Sequence, residues 1–425
     1  MRPARSITSL LTAGLAVGAA FAHPASAQNR EDLAPYVMLR SLQFVQDSVV
    51  LGDHSAAEMQ RFMLEKIDQR LRSADPSIFE DPRNVDAALV YAMSGGNPAT
   101  LEYLASRDMA GNFDNRVADA LRKYLNGKGT LAAKGLGEMA KEYRDEKIGP
   151  YLALVSGNVM VSTDPKEALF FYDWARLTAP GTIIEEAALR RSVAIAVDAN
   201  MVEQALSYAR KYARRFVHSP YASQFADFFV QLVVGHFGAV TEEDVDGAIE
   251  FMDADRRREI FLRIARAAAI AGKNDLARLA SAKAEALAGN PTPEALARLY
   301  GGLAGIPTHD VNAAMQAIAD VPDDMLSPRD RALREAAKAV AEQVVSRPTA
   351  ESFAQEKPIN MPNTEDAKSP VVSPRNEIAG PAAATEGPMA GTAAKFDPAF
   401  QTYVDSGRSK LNAIDEMLKE ERPSK

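Results

Sequence analysis

Apolar residues recur three or four positions apart along most of the chain, and strict alternation of apolar and polar residues is nearly absent. This spacing predicts amphipathic α-helices, because strands would show the alternating pattern. Proline often follows a residue that can cap a helix, as at Asn97, Asp164, Ser219 and Ser327. The capping oxygen accepts a backbone N–H of the first turn, and proline there loses no hydrogen bond. The pattern predicts an all-α protein.

Candidate helix starts recur at a nearly constant interval. One series, spaced 35 to 37 residues apart, consists of Thr182, Ser219, Asp255, Thr292 and Ser327. Thr182 and Glu185 together predict a capping box. A second series falls between these positions and consists of Asp164, Asn200, Thr241, Asn274 and Thr308. Two interleaved helix starts per repeat are typical of stacked helical hairpins, so residues 28–346 are predicted to form a helical-repeat solenoid.

The segment KEALFFYDWARLTAP, which ends at Pro180, predicts the second helix of one hairpin. Its Ala168, Tyr172, Ala175 and Pro180 follow a spacing that resembles the second helix of a tetratricopeptide repeat. In such repeats small residues let two helices approach closely, and the aromatic ring fills the groove between them. The pattern recurs from Ala205 and, more faintly, from Ala277. The resemblance implies tetratricopeptide-like hairpins.

Trp174 is the single tryptophan of the chain, and the hairpin does not require it. It lies at a position that is usually polar and exposed in these repeats. Tryptophan is enriched among the residues that dominate protein–protein binding. Trp174 is therefore a candidate partner-binding residue. The alternative is that its ring packs against the neighbouring repeat, near Arg190 or Tyr208.

The composition changes after the predicted repeats. Residues 347–395 hold seven prolines and one aromatic residue, Phe353. This is too little apolar bulk to offset the entropy of ordering, so we expect a disordered linker.

A helical pattern returns in residues 396–425, which are predicted to form a C-terminal amphipathic helix and tail. The apolar residues that share one face of this helix are Phe400, Tyr403, Val404, Leu411, Ile414 and Leu418. An isolated helix of this length is marginal in water, so the apolar face must be buried, either on the repeat domain or in a groove of another protein. All but Val404 are candidate partner-binding residues.

The first 27 residues have the layout of a secretory signal peptide. Arg2 and Arg5 precede an uncharged apolar run, and small residues lead to a predicted cleavage between Ala27 and Gln28. A membrane anchor is the weaker alternative, because the run is shorter than the roughly 20 apolar residues that span a bilayer. We expect a protein that is exported and is not embedded in the membrane.

The net charge and the cysteine content exclude some classes of partner and some kinds of active site. The signal segment holds two arginines and no acidic residue, so its removal changes the formal charge from −8 to −10. An acidic surface argues against nucleic acid as a partner. The chain has no cysteine, which rules out a thiol nucleophile or a thiolate metal site. No G-x-S-x-G elbow, P-loop or kinase signature is present either, so we expect a binding protein without a cofactor and not an enzyme.

One segment resembles a calcium-binding loop. Glu242 to Asp253 places acidic residues at loop positions 1, 3, 5 and 12 and glycine at position 6, which is close to an EF-hand. Glutamate at the first position and aspartate at the last depart from that motif. The competing interpretation is a helix that Thr241 caps, with Val245, Ala248 and Ile249 on its buried side.

The signal peptide, the stretch KEALFFYDWARLTAPGTIIEEAALRRSVAIA, the Pro/Ala-rich linker and the final amphipathic helix together resemble the MotC family of alphaproteobacterial flagellar motors. The resemblance covers most of the chain in layout and supplies no functional residues. It implies a periplasmic accessory protein that binds the periplasmic part of the stator protein MotB and supports motor rotation. The alternatives are a generic periplasmic scaffold in secretion or cell-wall assembly and, from another class, an envelope hydrolase.

Overall fold

The computed structural model describes residues 33–287, 291–306 and 311–345 of the protein. These ranges contain seventeen α-helices, three short 3₁₀ helices and no β-strand. The helices are α1 (Pro35–Val50), α2 (Ala56–Ser73), α3 (Pro82–Met93), α4 (Pro98–Arg107), α5 (Asn115–Leu125), α6 (Ala133–Glu142), α7 (Gly149–Met160), α8 (Pro165–Thr178), α9 (Ile183–Asp198), α10 (Val202–Phe216), α11 (Ala222–Gly235), α12 (Glu242–Ile249), α13 (Ala254–Ile270), α14 (Asn274–Ala286), α15 (Pro291–Gly305), α16 (Val311–Ala319) and α17 (Pro328–Val345). The predicted all-α class is confirmed.

The helices pack mainly on their neighbours in sequence. From α7 to α11 each helix contacts the next one, and so do those from α13 to α17. Alternate helices also touch, since α9 contacts α7 and α11, and α13 contacts α11 and α15. One continuous apolar core runs through these contacts. Within the described ranges, no helix combines the length and the apolar composition needed to cross a membrane.

Helix α8 has the packing that its sequence predicts. Asp164 caps it, and Pro165 is its first residue. Ala168, Tyr172 and Ala175 are completely buried. A Cβ atom on Gly157 of α7 would lie 2.5 Å from the Tyr172 ring, so only glycine lets the two helices approach this closely.

Helix α1 lies across several helices that are distant in sequence. The side chain of Asn84 accepts a hydrogen bond from the backbone N–H of Tyr36 at 3.2 Å. Gln43 donates to the Tyr151 hydroxyl of α7 at 2.8 Å. The carboxylate of Asp47 accepts from the N–H of Ile183, the first residue of α9, at 2.9 Å. The first described helix of the chain is therefore hydrogen-bonded to α3, α7 and the start of α9.

Several predicted helix caps are confirmed. The side chains of Asn97, Asp164, Thr182, Thr241 and Ser327 each accept a backbone N–H from the first turn of their helix. Each of these helices therefore begins where the sequence predicts.

The predicted capping box at Thr182 is wrong in its second half. Glu185 does not accept the N–H of Thr182 but that of Gly181, at 2.6 Å. Its carboxylate also forms an ion pair with Arg215 of α10 at 2.5 Å. The attraction of a cation on the neighbouring helix accounts for this orientation.

Other predicted starts are displaced; α11, for example, begins at Ala222 and not directly after Ser219. Asn200 has a φ of 56° and lies in the turn after α9, and α10 begins at Val202. Asparagine tolerates this left-handed conformation better than most residues, which suits it to a helix end. Helix α13 is capped by Asp253, while Asp255 lies in its first turn and pairs with Arg258.

Three predicted segments lie outside the described residues. These are the signal peptide at residues 1–27, the linker at residues 347–395 and the C-terminal helix at residues 396–425.

Candidate partner-binding surface on helix α8

The acidic segment from Glu242 to Asp253 forms helix α12 up to Ile249 and then a turn that leads to α13, and not a calcium loop. Thr241 and Asp244 form a capping box at the start of α12, and the predicted apolar side of the helix is buried. The acidic side chains have cationic partners: Lys283 pairs with Glu242 at 2.6 Å and with Asp246 at 2.7 Å. No group of three or more metal-binding side chains lies close enough to hold an ion in the described part of the chain.

Trp174 lies half-buried on α8. Its ring stacks on Phe171 with the ring centres 6.1 Å apart and meets Phe170 edge-on at 6.3 Å. The predicted neighbours Arg190 and Tyr208 are not among its ring contacts. Its indole N–H is enclosed and finds no hydrogen-bond acceptor in the residues that the structure describes. Among the described residues, therefore, no hydrogen bond fixes the orientation of the ring.

Two large apolar side chains next to Trp174 face solvent. Phe170 is 52% exposed and Leu177 is 66% exposed. Residues 170, 174 and 177 are four and three positions apart, so they share one side of the helix. We call Phe170, Trp174 and Leu177 the α8 stripe. The buried side of α8 packs on α7 and α9.

Two cations lie over the rings at the edge of the α8 stripe. The guanidinium of Arg144 lies 5.1 Å from the centre of the Trp174 ring. The ammonium of Lys141 lies 6.0 Å from the Phe170 ring centre and 5.6 Å from that of Phe171. These distances are those of cation–π interactions, in which the ring face attracts the positive charge. Lys141 also pairs with Glu167 at 3.5 Å.

The equivalent side of α10 is polar. When Ala205 is aligned with Ala168, the positions of the α8 stripe correspond to Ser207, Lys211 and Arg214. Both of these cations are exposed. The repeat therefore does not require apolar residues there, and the α8 stripe is a departure specific to this helix.

Sequence reasoning identified Trp174 but not its companions. The spacing of Phe170 and Leu177 relative to Trp174 was the available signal, because it is that of one helix face. Lys141 and Arg144 precede α8 by a whole helix, so the sequence gives no indication that they lie over its rings. The other candidate contact residues, Phe400, Tyr403, Leu411, Ile414 and Leu418, lie outside the described residues, as do Ala27 and Gln28.

These features define an all-α protein with a partly exposed apolar stripe on α8, bordered by two cations. The chain belongs to the MotC family of chemotaxis proteins. It matches the family model described as "Chemotaxis protein MotC" over residues 1–423. It is 55% identical over 427 aligned residues to a Chemotaxis protein MotC of Rhizobium meliloti (strain 1021), and the alignment covers 97% of each chain. No solved structure matches it.

Proposed function

We propose that this protein is a periplasmic accessory protein of the flagellar motor. In this role it binds the periplasmic part of the stator protein MotB and supports motor rotation. Membership of the MotC family over nearly the whole chain is the observation that carries the proposal. The protein acts by binding and not as an enzyme.

The helices are proposed to form a solenoid of tetratricopeptide-like hairpins. The contacts between successive helices, and between alternate helices from α7 to α15, support this arrangement. Helical-repeat proteins of this kind present extended surfaces to other proteins. Helix α1 already occupies part of the surface of α3, α7 and α9. The exposed face of α8, the second helix of its hairpin, is therefore the better placed surface for a partner.

A deletion strain tests the proposed role. Loss of the gene should give cells that carry intact flagella but do not swim, and a plasmid copy should restore swimming. Cells without flagella, or misshapen cells, would instead favour a scaffold in secretion or cell-wall assembly or an envelope hydrolase. Normal swimming would contradict the proposal.

The periplasmic location rests on the N-terminal pattern. If residues 1–27 are a signal peptide, the protein recovered from the periplasm should begin at Gln28. Mass spectrometry of the intact protein measures this directly. Replacing the small residue Ala27 by a bulky one should make the precursor accumulate. A cellular protein that still contains residues 1–27 would contradict the proposed export.

Residues 396–425 provide a second candidate contact. Their removal should leave the melting temperature of the remaining protein unchanged and abolish swimming, because an amphipathic helix on a long linker suits a partner's groove. Replacing Leu411 and Leu418 together by aspartate should give the same loss without shortening the chain. Full swimming in both variants would show that this segment is dispensable.

A further inference from the structure

We infer that the α8 stripe is a docking surface for an amphipathic helix of another protein, one whose apolar side chains are bordered by carboxylates. The inference deepens the proposed function and rests on it only for the identity of the partner. The stripe, its cationic border and its difference from α10 are observed in this chain and do not depend on the proposed function.

The shape of the surface favours a helical segment. Phe170, Trp174 and Leu177 form one line along α8 over about two turns. A partner helix with apolar residues three and four positions apart can lie along such a line. Scattered single apolar residues are common on protein surfaces and carry no information. Here three large ones are consecutive on one helix face, and the same face of α10 is polar.

The charge at the border favours an acidic partner. Lys141 and Arg144 lie over the rings, and Arg144 has no carboxylate partner in the described part of the chain. These cations stand out because the chain as a whole carries a formal charge of −8. A partner whose carboxylates flank its apolar side would meet both cations when it covers the rings. Complementary charges of this kind fix the orientation of two surfaces and exclude wrong partners.

The cations at the edge of the α8 stripe also argue against a second copy of this chain as the docking partner. In a symmetric dimer each copy contributes the same patch. Two α8 stripes facing one another would bring the Arg144 side chains of both copies close together, and Arg144 forms no ion pair with a carboxylate in the described part of the chain. Like charges placed opposite each other disfavour such an interface. An anionic membrane is also disfavoured, because the net negative charge of the protein repels it.

Cross-linking in cells tests the surface without assuming the partner. The photoreactive residue benzoylphenylalanine replaces Phe170 or Leu177 in the full chain. The matched control carries it at Phe251, which is also a phenylalanine, is 55% exposed and lies under a cation, with Arg214 at 5.2 Å. Cross-linked peptides are identified by mass spectrometry. We expect positions 170 and 177 to cross-link to the same segment of another protein, with apolar residues three or four apart and flanking Asp or Glu.

A charge reversal tests the role of the border. Arg144→Glu should lower the yield of these cross-links by about tenfold or more, because like charges would then face each other. Arg61→Glu makes the same change of charge on an exposed position of α2 and should leave the yield unchanged. An equal yield in the Arg144 and Arg61 variants would contradict the proposed acidic partner. Melting temperatures of both variants confirm that the fold is retained.

Three results would overturn the inference. They are cross-links to a second copy of this chain, cross-links to lipid, and a yield at positions 170 and 177 no higher than at 251. These results are distinct from failure of the proposed function. If the deletion strain swims normally, the motor role is wrong, yet the cross-links still decide whether α8 docks an acidic helix. If the deletion strain does not swim and positions 170 and 177 give no cross-link, the surface is wrong and the motor role stands.

Discussion

Glu186 and Arg190 form an ion pair in the interior of the protein, one turn apart on α9. Their side chains meet at 2.9 Å, and Glu186 is completely buried. The Tyr212 hydroxyl of α10 donates to the same carboxylate oxygen at 2.8 Å. The Arg190 guanidinium also lies 4.8 Å from the ring centre of Tyr221. This cluster links α9, α10 and the turn before α11.

Breaking the cluster should be strongly destabilising. Arg190→Met leaves the Glu186 carboxylate buried without its cation, and loss of one partner of a buried pair costs about 3–5 kcal/mol of unfolding free energy. The double variant Glu186→Gln with Arg190→Met should recover much of that loss, because no buried charge remains. Urea denaturation measures both values. The control is Arg278→Met, which breaks an exposed pair with Asp275 and should cost about 0–1 kcal/mol. Equal losses in Arg190→Met and Arg278→Met would contradict the account.

Two glycines in helices should respond oppositely to the same substitution. Gly157→Ala places a methyl group 2.5 Å from the buried Tyr172 ring and should cost about 1–3 kcal/mol through overpacking. Gly135→Ala on α6 meets no atom within 4 Å. It should stabilise the protein by about 0.5–1 kcal/mol, because alanine loses less entropy in a helix. Thermal unfolding compares the two. A neutral Gly157→Ala would show that α7 and α8 are not as closely packed as described.

The decrease of the unfolding free energy at acidic pH should depend in part on Asp114. The Arg116 guanidinium, followed by the Tyr143 hydroxyl and the backbone N–H of Arg116, lowers the pKa of this carboxyl from 3.8 to about 2. A carboxyl with a lowered pKa in the folded state contributes stability above the unfolded value, and this contribution is lost as the pH falls from about 4 through 2. Asp114→Asn retains a helix-capping oxygen but has no such titration. Its unfolding free energy should therefore fall less steeply between pH 4 and 2 than that of the wild type.

A second variant controls for the change of net charge in that experiment. Asp119→Asn removes one carboxylate from the exposed side of the same helix, where it pairs with Lys123. The slope for Asp114→Asn is compared with the slope for this variant. If the two slopes are equal, the contribution assigned to Asp114 is contradicted.

The sequence predicts features that arise within one helix and does not predict those that depend on distant residues. The cap at Asp164 and the burial of Tyr172 follow from local spacing, and the structure confirms both. The capping box at Thr182 fails because Arg215, thirty residues away, attracts the Glu185 carboxylate. The hydrogen bond between Asp47 and the start of α9 joins residues that are 136 positions apart, and no periodic pattern predicts it.

In the candidate site, too, the sequence predicts what lies within one helix and not what depends on distant residues. Trp174 could be selected from its place in the repeat, and the spacing of its two apolar companions was visible. What the sequence could not supply is the position of Arg144 over the indole ring, because that depends on how the turn after α6 packs against α8. The chemistry of the partner follows from this contact.

The proposed function and the proposed docking surface together predict that MotB binds through the α8 stripe, and Trp174 reports on this binding directly. Trp174 is the single tryptophan of the chain, so its fluorescence changes only when its own surroundings change. The measurement titrates the mature protein with the periplasmic part of MotB, in which any tryptophan has been replaced by phenylalanine. A parallel sedimentation experiment records binding itself.

We predict a saturable change in Trp174 emission that follows the binding curve. Phe170→Ser with Leu177→Ser should weaken binding by about thirtyfold or more, as expected for the loss of a hot spot worth about 2 kcal/mol. The control Phe251→Ser should bind like the wild type. Binding that leaves the emission of Trp174 unchanged and is equally strong in both variants would contradict the account.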